Sequence, residues 1–295
     1  MELEIQKFIR QNYNWEKLLQ YPPYNLLIRR EGNLVIFKYN QLTSDFSEPI
    51  VCECRGIILN DETVEVVCYP FEKFFNYGEP YADEVDWTTA RIQAKIDGSL
   101  IKVWFDRAKS AWRVSTNGAI DAYSRPLDIN ELTRETLNCP YKTFGDLFDA
   151  AAQNSGLDFS KLDKNVTYMF ELVSPYNRVV ICYDRPEIWH IGSRNVKTFE
   201  ELDVDIGVQK PEEYKFASLK DCIEGAKALS DDEEGYVVVD AFWRRVKVKN
   251  PKYLYFTAQR RADRLLMTIL PVSSATVKNL SFSLIFPSIR VQSKK

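Results

Sequence analysis

Lys95-Ile96-Asp97-Gly98-Ser99-Leu100 decides how the rest of the chain is read. It lies between two β-like runs, Arg91–Ala94 and Leu100–Phe105. A lysine leaving a strand, an acid two residues on and a glycine that lets the chain turn make a compact constellation. Lysine is the side chain whose ammonium can be deprotonated by burial or by neighbouring cations, and the free amine is a nucleophile. The same residues also read as a surface hairpin, with a solvated Lys and Asp about a turn glycine. The two readings separate on whether the chain supplies what a nucleophilic lysine needs.

The 295 residues, 45% hydrophobic and 27% charged, suit one large soluble domain or two modest ones. No apolar run reaches the length of a membrane span, so no membrane partner is expected. The acidic start Met1-Glu2-Leu3-Glu4 lacks a signal-peptide pattern. Six cysteines are irregularly spaced, and Cys52-x-Cys54 is too close for an ordinary zinc pair. The single histidine, His190, excludes a His-rich metal site, and its setting in Ile188-Trp189-His190-Ile191 reads as strand packing. Free cysteines without an export signal point to the cytoplasm, or to the host cytoplasm for a phage- or virus-encoded chain. Net charge is −3, so nucleic-acid binding has to come from a local basic patch. Arg244–Lys252 holds five basic residues and no acid, and Arg260, Arg261 and Arg264 follow.

Taken in order, residues 2–20 predict one amphipathic helix, ended by Tyr21-Pro22-Pro23-Tyr24. Asn25–Arg30 and Asn33–Tyr39 predict a hairpin about Glu31-Gly32. Val51–Leu59, in which Arg55 heads an apolar run, and Val64–Tyr69 are strand-like. So are Trp112–Ser115, Val166–Leu172, Val179–Tyr183, Glu187–Gly192 and the run after Glu234. In Arg245–Lys249, alternation puts Arg245, Lys247 and Lys249 on one face. Helices are expected at Thr143–Asn154, Leu219–Leu229 and Thr257–Met267. The strand density predicts an α+β fold of mostly antiparallel sheets with peripheral helices. Residues 1–255 are expected to form one domain. Residues 256–295 are expected to be a short extension, a helix plus a basic, Ser-rich tail, rather than a clear separate domain.

Arg55, Lys73, Lys95 with Asp97, Glu171, Glu234, Lys247 and Lys249 all lie at or beside a strand end, next to a Gly, a Pro or a turn. The cations suit a polyphosphate; the carboxylates suit a divalent metal or a ribose. Six motifs carry these residues. They are Glu53-Cys54-Arg55-Gly56-Ile57, Glu72-Lys73-Phe74-Phe75-Asn76, Lys95-x-Asp97-Gly98-Ser99-Leu100, Phe170-Glu171-Leu172-Val173-x-Pro175-x-Asn177-Arg178, Glu234-Gly235-Tyr236-Val237, and Lys247-x-Lys249 followed by Tyr253. In this order they resemble the T4 RNA ligase 1-like family of ATP-dependent RNA ligases, within the covalent nucleotidyltransferase superfamily. The resemblance covers about residues 30–255.

The resemblance implies a nucleotidyltransferase domain whose sheets flank an ATP cleft. It implies that Lys95 attacks the α-phosphorus of ATP, expels pyrophosphate and carries AMP. The AMP then passes to an RNA 5′-phosphate, and a 3′-hydroxyl displaces it. It implies ATP-site roles for Tyr39, Arg55, Lys73, Gly98, Glu171, Lys247, Lys249 and Tyr253. Lys247 and Lys249 assist catalysis, and their positive field should depress the pKa of Lys95. Mg²⁺ or Mn²⁺ is expected at Asp97, Glu171 and Glu234, largely through water, with one of the three, Glu171 foremost, as a ribose ligand instead. The implied partners are RNA ends, with cleaved tRNA among the candidates, in RNA repair; no obligate protein partner is inferred. Two departures stand out. Thr116-Asn117-Gly118 occupies a turn where the family often has a lysine, and the segment after Tyr253 does not align with the helical C-terminal domain that favours tRNA. The alternatives are a DNA ligase or mRNA guanylyltransferase of the same superfamily, or a non-catalytic RNA-end-binding module. The Ser99-Leu100 continuation and the Glu72–Asn76 motif favour RNA ligase.

Overall fold

Alternating apolar residues and tight turns build three sheets, and each sheet buries one face against its own helix. The computed structural model describes residues 2–127, 129, 131–255 and 257. The helix expected at Thr257–Met267 and the tail from Val272 fall outside them, Thr257 apart. Met1–Tyr253 and Leu254–Lys295 are separate units, and the architecture below is that of the first.

The first sheet is a meander of β1 (Leu27–Glu31), β2 (Leu34–Lys38), β3 (Arg55–Asn60) and β4 (Val66–Cys68). The remaining strands are β5 (Phe75–Asn76), β6 (Arg91–Ala94), β7 (Ser99–Asp106), β8 (Ala111–Thr116), β9 (Val166–Val173), β10 (Glu187–Asn195), β11 (Glu201–Leu202), β12 (Glu213–Tyr214), β13 (Gly235–Val239) and β14 (Arg245–Lys249). They form a second sheet in the order β11-β10-β9-β7-β8 and a third in the order β12-β6-β13-β14-β5. Every pairing is antiparallel except that of β14 with β5. The helices are α1 (Glu4–Gln11), α2 (Trp15–Gln20), α3 (Pro49–Glu53), α4 (Glu131–Thr136), α5 (Phe144–Asn154) and α6 (Leu219–Ala228). The fold is α+β, as the strand density predicts.

Each sheet has its own core. Leu147, Phe148 and Ala151 of α5 meet Ile101, Phe170 and Ile188 of the second sheet. Ile5 of α1 and Val51 of α3 meet Val35, Phe37, Ile57 and Leu59 of the first. Cys222 and Ala226 of α6 meet Val238, Val246 and Val248 of the third. Each large side chain fully buried in this way contributes about 1.5–3 kcal/mol. α5 starts where it does because Thr143 accepts the Asp146 amide at 3.1 Å while Asp146 accepts the Thr143 amide at 2.9 Å, a reciprocal cap. α1 is capped from a distance: the Glu53 carboxylate accepts the Glu4 and Ile5 amides, each at 2.9 Å.

Some expectations need correcting. The first helix is two, because Asn12 takes an extended conformation (φ −126°, ψ 108°) and its side-chain amide donates to the Phe8 carbonyl, closing the first helix at Gln11. β4 starts at Val66, since Val64 has φ 60° and bends the chain. Val179–Tyr183 is not a strand; the Val180 and Ile181 amides donate to Asp97 Oδ2 and are lost to any ladder. α3, α4, β11 and β12 are too short to leave a periodic signal. His190 does pack within β10, against Phe170, with Nε2 at 2.8 Å from Ser193 Oγ.

Candidate active site

Three neighbouring strand ends deliver the central charges. β6 ends at Ala94, and the amide of the next residue, Lys95, donates to the Gly235 carbonyl at 2.8 Å. Gly235 opens β13, so Glu234 sits just before it, and Lys249 at the end of β14 pairs in register with Gly235. Strand spacing of about 4.8 Å then sets Lys95, Glu234 and Lys249 side by side. Lys95 Nζ donates to Glu234 Oε2 at 2.6 Å, and Lys249 Nζ lies 2.9 Å from Glu234 Oε1. Gly235 has φ 131°, and a Cβ there would stand 2.3 Å from the Val248 carbonyl oxygen, so only glycine lets these strands close. Asn250, fully buried, donates its amide to the Glu234 carbonyl and its side chain to Ser230 and Glu233 carbonyls, which fixes the turn carrying Glu234.

The second sheet adds Glu171 from β9. Its Oε1 accepts the Gly98 amide at 3.0 Å. A Cβ on Gly98 would come within 2.4 Å of the Leu172 carbonyl oxygen, so glycine is required for this approach as well. Asp97 turns away from the cleft. Its Oδ2 accepts the Val180 and Ile181 amides at 2.9 and 2.8 Å, and its Oδ1 accepts the Tyr253 hydroxyl at 2.8 Å.

The walls are aromatic and basic. A cleft of about 740 Å³ is lined by Arg55, Phe71, Phe74, Lys95, Glu171, Arg245, Lys247 and Lys249 among others. Lys247 Nζ donates to the Phe74 carbonyl at 2.9 Å and lies 4.4 Å from that ring's centre. Arg55 lies over the same ring at 5.0 Å, and Arg245 over Phe71 at 4.4 Å. β5 pairs with β14 at Phe75↔Val246, which holds the aromatic corner against the lysine strand.

The electrostatics reverse one expectation. Burial works to lower the Lys95 pKa, but Glu234 and Glu171 outweigh it and hold the ammonium above its ordinary value. The depression expected from Lys247 and Lys249 does not fall on Lys95. It falls on Lys247 itself, pushed down to about 6 by burial and then by Arg55, Lys73, Lys95 and Lys249. Glu171 is pushed up to about 7, chiefly by burial, with Lys95 acting in the opposite sense.

Of the residues singled out from sequence, Lys95, Arg55, Glu171, Lys247 and Lys249 converge on one cleft, with Glu234 between the two lysines and Gly98 against Glu171. Tyr39, Lys73 and Tyr253 are not among the cleft's described lining. Lys73 Nζ is boxed by the rings of Tyr39, Phe46 and Phe75 at 5.6, 4.9 and 4.9 Å. Tyr253, 2% exposed, stands behind Asp97. Asp97, Glu171 and Glu234 are not gathered into one direct ligand set; among the described residues no three His, Cys, Asp or Glu side chains are so grouped. The physical reason is that Asp97 is taken up by three donors and Glu234 by two ammonium groups. Phe71, Arg245 and Asn250 were not chosen from sequence. Arg245 was visible as the third member of the basic face, whereas Asn250 left no signal.

This geometry can be set beside known proteins. A family described as RNA ligase matches residues 53–253. The "Putative bifunctional polynucleotide kinase/RNA ligase" of Autographa californica nuclear polyhedrosis virus is 34% identical over 223 residues, which is 71% of this chain and 31% of the relative. The RNA ligase of Rhodothermus phage RM378 is 29% identical over 197 residues, 58% of this chain and 43% of the relative. The chain thus spans less than half the length of these two relatives. An archaeal ATP-dependent RNA ligase, 13% identical, superposes with a TM-score of 0.51 over 96% of this chain and 78% of its own, and so shares the fold. With the family match running from β3 to Tyr253 across every strand that lines the cleft, the chain belongs to the RNA ligase family.

Proposed function

We propose that this chain is an ATP-dependent RNA ligase that works through a lysyl-AMP intermediate, with residues 1–255 as its adenylyltransferase domain. The observation that carries the reading is the Lys95–Glu234–Lys249 row, whose two lysines line a cleft walled by Phe71, Phe74 and three further cations. Lys95 first gives up a proton, for which Glu234 Oε2 at 2.6 Å is the nearest acceptor. Its amine then attacks the α-phosphorus. An N–P bond forms, the bond to the bridging oxygen breaks, and pyrophosphate leaves with the electron pair. Lys247 and Lys249 meet the phosphate charge. Burial, then Arg55, Lys73, Lys95 and Lys249, push the Lys247 pKa down, and an approaching phosphate raises it again. Glu171, whose pKa burial pushes up to about 7, lines the cleft and can hydrogen-bond a ribose hydroxyl.

In the second step an RNA 5′-phosphate oxygen displaces lysine and takes the AMP. In the third a 3′-hydroxyl attacks that 5′-phosphorus, forms the phosphodiester and releases AMP. Mg²⁺ or Mn²⁺ would neutralise the ATP phosphates here, and Glu171 and Glu234 would hold it largely through water; among the described residues no three His, Cys, Asp or Glu side chains are grouped as direct ligands. Cleaved tRNA is one RNA that offers such ends. The six cysteines, all free, support a reducing compartment such as the cytoplasm or a host cytoplasm. Among the described residues no helix is long and apolar enough to cross a membrane.

Incubation with α-labelled ATP or GTP, followed by a denaturing gel, tests nucleotide choice; labelling from GTP alone would overturn the ATP assignment. Joining of 5′-phosphorylated RNA against DNA of the same sequence, single-stranded and nicked, tests the polymer. Efficient sealing of nicked DNA with no RNA product would make this a DNA ligase. RNA binding without any covalent label would make it an end-binding module.

A further inference from the structure

Outside the nucleotide cleft, a second concavity of about 820 Å³ opens between β1 and β2 on one side and the start of β7 with the turn after β8 on the other. Arg29, Lys38 and Arg125 converge on it, with Asn117 at its edge and Phe144 and Leu100 among its apolar walls. Its lining holds no carboxylate, and none of the three cations forms a salt bridge with a described residue. Three like charges gathered in one concavity repel one another. Burial, then Arg125 and Arg29, push the Lys38 pKa down accordingly. Such an arrangement is a standing cost that an anion removes.

The scaffold is fixed. Arg29 Nη1 donates to the Gly118 carbonyl at 2.7 Å, joining β1 to the turn that closes the concavity. The Phe144 amide donates to the Arg125 carbonyl at 2.9 Å, keeping ring and cation together. The position is equally specific. Lys38 pairs across the strands with Arg55, which lines the nucleotide cleft, and Ser99 and Leu100 follow Lys95 by four and five residues. We propose that this concavity binds the phosphate backbone of the single-stranded RNA end that meets the lysyl-AMP, with Phe144 as a surface for a base. Cations beside an aromatic ring and aliphatic walls suit a nucleotide strand; a bare pyrophosphate has no use for the apolar half. The inference rests on the ligase reading, and it places the charge absent from the Thr116-Asn117-Gly118 turn on the elements around it.

The test uses the full chain and a 5′-phosphorylated oligoadenylate, with affinity read by fluorescence anisotropy across a salt series. Lys38→Gln with Arg125→Gln is expected to weaken binding roughly tenfold and, at about 0.7 per phosphate contact on a single strand, to flatten the log–log salt slope by about 1.4. Lysyl-AMP formation from ATP, and its reversal by added pyrophosphate, should stay within about twofold of the parent. The charge-preserving pair Lys38→Arg with Arg125→Lys should bind as the parent does. Parent-like RNA affinity in the Gln pair overturns the proposal. So does unchanged RNA binding with impaired reversal by pyrophosphate, which would assign the concavity to the leaving group. Failure of the parent to form lysyl-AMP overturns the ligase reading instead, and the anisotropy result stays readable without it.

Discussion

At the residue scale the chemistry turns on how charge is shared among Lys95, Glu234 and Lys247. Glu234 holds the Lys95 ammonium above its ordinary pKa, so removing that carboxylate should ease deprotonation. Glu234→Gln is expected to move the rising limb of lysyl-AMP formation to lower pH, even where the maximal rate falls. A pH–rate profile that keeps its limb in place would contradict the assignment. Lys247 carries the opposite strain. Its folded pKa, about 6, lies below the ordinary 10.5, so the unfolded chain holds the proton more tightly across that window. Stability is therefore lost as pH falls from 10.5 to about 6. Lys247→Met keeps the contact with Phe74 and removes the charge. It should raise Tm by about 2–4 °C near pH 7 and by nothing above pH 10.5, while labelling by ATP falls sharply. A lower Tm at pH 7 would show that Lys247 stabilises the fold.

At the scale of elements, the site depends on how the second and third sheets are joined. Glu201 of β11 lies between Arg194 of β10 and Arg245 of β14, at 2.7 and 2.8 Å. Burial works to raise the Glu201 pKa, but Arg245 and Arg194 outweigh it and hold the carboxylate below its usual range. That contribution is present above the ordinary carboxylate pKa and is lost as pH falls through the depressed one. Glu201→Gln leaves two buried guanidinium groups with too little counter-charge and should cost about 3–5 kcal/mol in urea unfolding. A cost below about 1 kcal/mol would mean the bridge is not what fixes β14. The elements themselves were legible wherever a period ran for a full strand or helix: β7, β9, β14 and α5 stand close to where alternation and amphipathicity put them. The failures have local causes. Val179–Tyr183 has a strand's composition, but its amides are claimed by Asp97, a partner more than eighty residues away in sequence. A pattern within the segment cannot reveal that.

For the whole molecule, the same limit applies to the site. Lys95, Arg55, Glu171, Lys247 and Lys249, which line one cleft, could be picked out because each sits in a short motif. Their direction of pKa shift could not, since it depends on carboxylates brought in from other strands. Tyr253 and Asp97, chosen as ATP-site and metal residues, also brace each other, a fact that only tertiary contact reveals. Asp97 is taken up by the Val180 and Ile181 amides and the Tyr253 hydroxyl, and Glu234 by Lys95 and Lys249, which bears on metal binding by the protein alone. A chelator should change the Tm of the protein alone by less than about 1 °C while abolishing labelling by ATP, because a metal that binds only with the nucleotide cannot stabilise the fold on its own. A fall of several degrees on chelation would reveal a resident metal. The most direct test of the account is the covalent label itself. With α-labelled ATP and divalent metal, the parent chain should carry acid-labile, base-stable AMP. Lys95→Ala should carry none while its circular dichroism and unfolding midpoint stay those of a folded protein. Persistent labelling of the folded Lys95→Ala chain would contradict it.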